Sequence, residues 1–424
     1  MKRKEFISNM AKLSAFPFIL PSYSFKLGQE KKVQHVVFCL IAGGLRNFES
    51  ILKKEGNLMP NLLNGTESIS SDIAQGIHLL PKVFDTPLSK QGTFFNNFKY
   101  NSSDTIHYSG HAAAITGNYN GNFQLMKPLQ VPTIFEFFRK HVNKNNSALK
   151  SWWVSDQNGP FPFLNYSNHK DYGPLYGANI IQPKSVFNID FKNLNLFDAE
   201  MMSKVNEYKK LLIDMNLVNQ PFPHKRGIIN NEEDRGKIQN FLKKTGQKYF
   251  NNKDYNFWEL GNLANNDIKT MFTACEIIKE FEPELMVVNM QDSDIGHSNF
   301  TKMCDNINTA DFALAKLWET IQNTPNMKNN TVLIAAPEFG RNLNTNTLVD
   351  QYGRAAVDHT GDENSKKIFC LMLGPKEIIK SNNLVESENA ETIDILPTIA
   401  HLLGFHDKIP AQFVNGKILK DALV

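Results

Sequence analysis

Short β-branched segments alternate with segments of helical periodicity along most of this chain, and no other feature constrains the fold as strongly. Buried strands are predicted at 32–41 (KVQHVVFCLI), 151–154 (SWWV), 284–290 (ELMVVNM), 331–336 (TVLIAA) and 367–373 (KIFCLML). Helices are predicted at 132–141, which opens with a proline, and at 266–281, 305–322 and 391–403. Strands alternating with helices form βαβ units, so the chain is predicted to be an α/β protein with a mostly parallel sheet covered on both faces.

A long polar stretch, from about residue 155 to residue 266, interrupts this pattern. It is rich in Asn, Tyr and Gly and contains a helical segment near 198–215. No repeat runs through it. We therefore predict that 155–266 is a cap inserted into the α/β domain.

Polar side chains cluster beside three of the predicted strands, where ligands bind in parallel sheets. The segments are 291–297 (QDSDIGH), 337–341 (PEFGR) and 358–361 (DHTG). Carboxylates and imidazoles that converge at strand ends suit zinc or manganese. The sequence therefore predicts a divalent metal site at these strand ends, with zinc as the first choice and manganese as the alternative.

The charge and the cysteines exclude other kinds of site. The chain has 46 basic and 43 acidic residues, a net charge of +3, which gives no argument for a nucleic-acid partner or a membrane surface. The four cysteines form no C-x-x-C pair, so a thiolate zinc site is not indicated. Cys39 and Cys370 lie inside apolar runs and are predicted to be buried.

The first 28 residues are typical of an export signal. Arg3 and Lys4 precede a patchy apolar stretch at 10–20, which is similar to a twin-arginine signal with lysine as its second basic residue, or to a Sec signal. No cysteine lies near 21–25, so a lipoprotein anchor is not supported, and no later segment is apolar enough to span a bilayer. The prediction is an exported, periplasmic protein; the alternative is a cytosolic protein with a poorly ordered N-terminal helix.

Seven blocks of this chain follow one another in the order of the alkaline phosphatase superfamily, which they resemble. They are 36–51 (VVFCLIAGGLRNFESI), 107–121 (HYSGHAAAITGNYNG), 132–154, 292–297 (DSDIGH), 332–341 (VLIAAPEFGR), 358–375 and 392–405 (TIDILPTIAHLLGF). The nearest likeness is to an exported branch that carries Ser-Glu-Phe-Gly-Arg. The resemblance implies an alkaline-phosphatase-like three-layer α/β/α sandwich over residues 29–424, with the cap in its middle. It also implies hydrolysis of phosphate or sulfate esters with metal ions.

The first metal site of the superfamily is matched by residues of this chain. The family takes an Asp and a His from an Asp-x-x-Gly-His block and a later His. The resemblance implies that His297, His359 and either Asp292 or Asp294 bind the metal. The choice of Asp stays open because the strict spacing falls on Ser293.

The second site and the nucleophile are not matched. The first-strand Asp of the family falls at Gly43, its later Asp is replaced by Glu338, which can still bind metal, and the next His is replaced by Phe339, which cannot. The nucleophile position falls at His107, where a hydroxyl or thiol is expected. Ser109 would serve only if the turn is shifted, and a histidine could bind metal or act as a base instead.

Two further groups of residues have competing interpretations. Arg341 is a candidate to clamp an anionic ligand, although it and Glu338 could equally form an ion pair at the strand end. His107 and His111 are spaced by four residues, so both could face the site or simply flank the start of a helix.

Two functions are compatible with this pattern. The first is a non-catalytic binding or assembly component of the cell envelope, whose partner is an unknown envelope protein or an anionic small molecule. The second is a single-metal hydrolase of phosphate or sulfate esters, assisted by His107 or Ser109. We favour the first, because two-metal hydrolysis needs both ions and a nucleophile.

Overall fold

An eight-stranded sheet forms the centre of the computed structural model, which describes residues 30–63, 73–120, 129–142, 147–156, 164–183, 228, 230–251, 257–413 and 415–424. Its strands are β1 (His35–Ile41), β2 (Thr93–Lys99), β3 (Ser151–Ser155), β4 (Asn179–Ile181), β5 (Leu285–Met290), β6 (Thr331–Pro337), β7 (Lys367–Leu373) and β8 (Asn383–Val385). They lie in the order β4-β3-β5-β1-β6-β7-β2-β8. Only β7 among them runs antiparallel to its neighbours, so the predicted mostly parallel sheet is confirmed.

Helices cover both faces of the sheet. They are α1 (Leu88–Gln91), α2 (His107–Thr116), α3 (Ile134–His141), α4 (Glu232–Asn251), α5 (Asn266–Phe281), α6 (Phe300–Asn323) and α7 (Ile395–Leu402). Alternate residues of β1 point into two separate cores, because successive side chains of a strand face opposite sides. Cys39 packs in the core with α5 and α6, whereas Phe38 packs in the core with α2, α3 and α7. The three-layer α/β/α sandwich is therefore confirmed.

Two predicted helices differ in detail from the observed ones. Helix α3 begins at Ile134, two residues after the proline, because Thr133 caps it in a capping box with Glu136. The predicted helix at 391–403 is a 3-10 turn at Thr392–Asp394 followed by α7, which carries its proline in the first turn, where proline is tolerated.

The stretch that was predicted to form a cap contributes one strand to the sheet. Strand β4 lies within 155–266 and forms one edge of the sheet, paired in parallel with β3. The helical segment predicted near 198–215 lies outside the described residues. Within the described part of the chain, no helix combines the length and the apolar character that a bilayer crossing requires. All four cysteines are buried, as predicted for Cys39 and Cys370.

Candidate metal centre

Four side chains converge beyond the carboxyl ends of the central strands β5 and β6. They are His107, Asp294, His297 and His359, and each offers one ligand atom within 4.8 Å of the others. Asp294 and His297 lie on the 3-10 turn that follows β5, and His107 is the first residue of α2. His359 lies in the loop between β6 and β7. The topology thus brings together residues that are up to 252 positions apart (359 minus 107).

The three imidazoles present the same atom to the centre of this cluster. The Nε2 atoms of His107, His297 and His359 lie 3.0, 3.3 and 3.5 Å from Oδ1 of Asp294. The Nε2 atoms of His297 and His359 are only 2.8 Å apart. Two unprotonated ring nitrogens at that distance repel each other unless a proton or a cation lies between them.

An outer ring of acceptors fixes the other nitrogen of each imidazole. Nδ1 of His107 donates to Glu338 (2.6 Å), Nδ1 of His297 donates to Asp358 (2.6 Å), and Nδ1 of His359 donates to the carbonyl of Thr105 (2.7 Å). Nε2 is therefore the nitrogen that faces Asp294 in all three rings, which is the outer pattern found around metal-bound histidines. Three imidazole nitrogens and one carboxylate oxygen fit a tetrahedral zinc ion.

The side chains also leave the cluster open on one side. The side chains of Asp294 and His297 are 45% and 39% exposed, whereas those of His107 and His359 are 18% and 9% exposed. A metal or an anion from solvent could therefore reach the cluster past Asp294 and His297.

The two predicted alternatives for the aspartate are placed differently. Asp294 joins the cluster, whereas Asp292 pairs with Asp267 at the start of α5. The amide of Asp267 donates to Oδ2 of Asp292 (3.1 Å), and the amide of Asp292 donates to Oδ1 of Asp267 (3.2 Å). The structure thus does not bring Asp292 to the other predicted ligands.

Ser109 lies on a different face of α2 from His107. Two residues along an α-helix correspond to a rotation of about 200°. The face that carries His107 also carries Gly110, where an added Cβ would lie 3.0 Å from the ring of Phe339 and 3.2 Å from Oε2 of Glu338. In this helix, in which His107 faces the cluster, the side chain of Ser109 therefore points away from it.

Glu338 lies beside the cluster and is fully buried. Its Oε1 accepts from the amide of Gly43 (2.6 Å) and from Nδ1 of His107 (2.6 Å), while Nδ1 of His111 lies 2.8 Å from Oε2. The sequence predicted Glu338 as a direct metal ligand. The structure places it instead behind His107, where it orients the imidazole.

Arg341 is buried and holds loops together, in contrast to the anion clamp that was predicted. It donates to five acceptors: the carbonyls of Gly43, Gly44, Ser293 and Val357, and Oδ1 of Asp294 at 3.2 Å. These bonds use Nε and both terminal nitrogens. Because its side chain is 0% exposed, Arg341 fixes the position of Asp294 and does not face solvent.

Gly43 and Phe339 stand where the superfamily would have metal ligands, and both are closely packed. Gly43 has φ +90°, and an added Cβ would lie 2.5 Å from both the amide nitrogen of Asp294 and Oγ of Ser293. Phe339 is buried, and its ring centroid lies 5.3 Å from that of His107 and 4.7 Å from that of His359. Backbone and an aromatic ring therefore occupy these positions.

The cluster strongly perturbs the ionisation of its members. Although burial alone would lower the pKa of His107, the charges of Glu338 and Asp294 and their hydrogen bonds raise it to about 10. Although burial alone would raise the pKa of Asp294, hydrogen bonds from the three surrounding histidines hold it well below its usual range. Burial lowers the pKa of His359, despite its hydrogen bond to Asp294.

We expect zinc binding to strengthen as the pH rises. The hydrogen bond to Asp294 also raises the pKa of His297, so protons on both His107 and His297 must leave before these nitrogens can bind metal, and the dissociation constant should fall by about tenfold or more per pH unit between pH 6 and 8. The raised pKa of His107 stabilises the metal-free fold at pH values below about 6.5, and this contribution is lost as the pH rises towards 10. Competition titrations with a chromophoric chelator at several pH values measure the slope. A dissociation constant that stays flat over this range would contradict the assignment.

Three residues support the cluster without having been predicted in that role. Asp358 and Thr105 anchor two of the histidines, and His111, which was only a candidate, contacts Glu338. Asp358 directly precedes His359, and a carboxylate beside a predicted ligand is a usable signal. The carbonyl of Thr105 carries no such signal, because every residue has one.

Comparisons with known proteins support the fold. The chain matches no family model and no curated protein. Alkaline phosphatase PafA is similar in structure, with a TM-score of 0.52 and 11% identity over 93% of this chain and 100% of PafA. The sulfatase PsFucS1 from Pseudoalteromonas sp. is also similar, with a TM-score of 0.46 and 14% identity over 99% of this chain and 75% of PsFucS1. The lipoteichoic acid synthase LtaP from Listeria monocytogenes has a TM-score of 0.45 and 11% identity over 92% of this chain and 75% of LtaP. The likeness to PafA shows that the fold is alkaline-phosphatase-like.

Proposed function

We propose that this chain, which has the fold of the alkaline phosphatase superfamily, is a non-catalytic binding or assembly component of the cell envelope that holds one divalent metal. Zinc fits the ligands best, with manganese as the alternative. The observation that carries the proposal is His107. The resemblance to the superfamily puts it at the nucleophile position, and its Nε2 lies 3.0 Å from Oδ1 of Asp294, in the metal cluster.

The number of ligands supports binding without catalysis. Structural zinc sites have four protein ligands, whereas catalytic ones keep a position for water or substrate. His107, Asp294, His297 and His359 together complete a set of four. A bound cation would supply a fixed positive charge at the carboxyl ends of the central strands. The four side chains hold it, while Glu338, Asp358 and the carbonyl of Thr105 orient the rings.

The location and the partner are inferred from the sequence. The signal-like residues 1–28 lie outside the described part of the chain, and they support export to the envelope. The exposed edge of the cluster, at Asp294 and His297, is where an envelope protein or an anionic small molecule would contact the site. Cell fractionation checks the export: we expect a processed protein in the periplasmic fraction. An unprocessed cytoplasmic protein would refute it.

A second function, single-metal hydrolysis of phosphate or sulfate esters, is favoured by one observation. The same exposure of Asp294 and His297 leaves a path for a substrate. In that case His107, oriented by Glu338, is the side chain placed to move a proton.

Turnover measurements distinguish the two functions. Purified zinc-loaded protein is assayed with aryl phosphate, phosphodiester and sulfate esters, beside the His297→Ala variant. Under the binding proposal both proteins give the same background rate, because the nucleophile position carries no hydroxyl. Turnover by the wild-type protein that His297→Ala abolishes would overturn the proposal in favour of hydrolysis.

A further inference from the structure

A cavity of about 530 Å³ lies at the opposite end of the sheet from the metal cluster. Its walls come from the end of α3, the segment 169–172 that precedes β4, and the turns that follow α7. The carbonyl of Leu402, at the end of α7, accepts from the amide of Lys32, just before β1. The cavity is therefore beside the amino ends of the parallel strands. The seven residues of β1 separate that end from the metal cluster by about 20 Å.

Basic side chains dominate the lining of this cavity. Three lysines and two histidines accompany a single carboxylate: Lys140, Lys170, Lys408, His141, His169 and Asp171. Nζ of Lys140 donates to the carbonyl of Asp171 (2.7 Å), and Nζ of Lys408 donates to the carbonyl of His141 (3.1 Å). An ammonium group has three N–H donors, so both lysines keep donors for a ligand. Burial lowers the pKa of His141, and the nearby charges of Lys140 and Lys408 lower it further.

Aromatic rings form the wall beside these charges. The ring centroid of Phe413 lies 5.1 Å from that of His169 and 6.2 Å from that of Tyr172. The side chain of Asp171 is 59% exposed, and Gln412 adds an amide to the lining. Apolar ring faces next to a few charged and hydrogen-bonding groups are typical of a site for a polar ligand that carries a ring.

Glu136 holds one wall of the cavity in place from behind. Its buried carboxylate accepts from the amide of Ser167 (3.0 Å), the hydroxyl of Ser167 (2.7 Å) and the amide of Gly173 (2.6 Å). These bonds fix both ends of the segment 167–173, which carries His169 and Tyr172. The wall is thus formed before a ligand arrives, and a preformed site loses less affinity to ordering.

We propose that this cavity binds a sugar that carries a phosphate or sulfate group. The ammonium groups of Lys170 and Lys408 bind the oxyanion through charge-assisted hydrogen bonds. The ring of Phe413 packs against the sugar ring, and the carboxylate of Asp171 accepts from sugar hydroxyls. A carboxylate among cations favours a ligand that brings hydroxyl donors as well as negative charge. Because the site lies apart from the metal cluster, this inference goes beyond the proposed function and does not depend on it.

Calorimetric titration of the full chain tests the ligand class. The probes are glucose 6-phosphate, glucose 6-sulfate, phenyl phosphate, inorganic phosphate and glucose. We expect at least one glucose ester to bind about tenfold more tightly than inorganic phosphate, and glucose to give no measurable binding. No binding of either ester would overturn the proposal, as would inorganic phosphate that binds as tightly as the esters. Tighter binding of phenyl phosphate than of the glucose esters would overturn the assignment to a sugar.

Substitutions then locate the binding. The double variant Lys170→Gln/Lys408→Gln removes two exposed lysines of the cavity and should weaken ester binding by about tenfold or more. Lys328→Gln/Lys376→Gln is the matched control, because it removes the same charge from two exposed lysines at the same end of the sheet but outside the cavity. Its affinity for the esters should equal that of the wild-type protein. An equal loss in both double variants would mean long-range attraction only and would overturn the site.

Phe413→Ala tests the ring contact separately. This variant should lose the preference for the glucose esters over inorganic phosphate, while its affinity for inorganic phosphate stays the same. An unchanged preference would contradict the packing of the sugar on Phe413.

Metal analysis of the same samples separates this inference from the proposed function. Ester binding should persist after the metal is removed with a chelator, and all variants should bind zinc as the wild-type protein does. Zinc binding without ester binding would overturn this inference alone, and ester binding without zinc binding would overturn the metal site alone. Ester binding that disappears with the metal would place the ester at the metal cluster and would also overturn the inference.

Discussion

Replacing His107 with alanine is expected to weaken zinc binding by on the order of 100-fold or more, because it removes one of four ligands from a site whose total binding free energy is of the order of 10–16 kcal/mol. The side chains of Asp294, His297 and His359 would remain within reach of the ion. Isothermal or competition titration of the purified variant measures the loss.

Ser109→Ala is the matched control for this experiment. Ser109 lies on the same helix, two residues away, but on a face turned from the cluster, so its removal should leave zinc affinity unchanged. If His107→Ala bound zinc as tightly as the wild-type protein, the site would have three ligands and an open position. That result would favour the hydrolase. If Ser109→Ala weakened binding instead, the orientation of α2 would be different from the one described.

Much of the fold follows from periodicity alone. The predicted strand 367–373 and helix 266–281 agree with the observed β7 and α5 at both ends. These segments carry a single dominant signal, an unbroken apolar run or a clear helical spacing. Helix α6 is longer than predicted, because Asn299 caps it and it begins at Phe300, five residues before the expected start at residue 305. A cap depends on one side chain and is weaker evidence than a pattern of many.

The candidate site was only partly predictable, and the reason is geometric. His297 and His359 follow from their place beside strands. The choice between Asp292 and Asp294 could not be made, because residues 292–297 form a 3-10 turn, in which neighbours two apart point in very different directions. The role of His107 depends on how closely α2 approaches Glu338, and one-dimensional spacing does not contain that distance.

The differences from the superfamily's second metal site involve the packing around Gly43 as well as the ligand types. The backbone of Gly43 is part of the site, since its amide donates to Glu338 and its carbonyl accepts from Arg341. An aspartate introduced at position 43 would therefore clash with neighbouring atoms. Stability measurements on such a variant test this directly.

Gly43→Asp is expected to lower the free energy of unfolding by about 2–5 kcal/mol and to add no metal site. About 1–2 kcal/mol comes from a side chain at φ +90°, and about 1–3 kcal/mol comes from packing a Cβ within 2.5 Å of the amide of Asp294 and Oγ of Ser293. Gly353→Asp is the control: Gly353 has φ +76°, but nothing lies within 4 Å of its added Cβ, so that variant should lose only the backbone contribution. Chemical denaturation of the two variants measures the difference. A Gly43→Asp protein that is as stable as Gly353→Asp and binds a second zinc ion would contradict this account, because the second site would then need only its missing carboxylate.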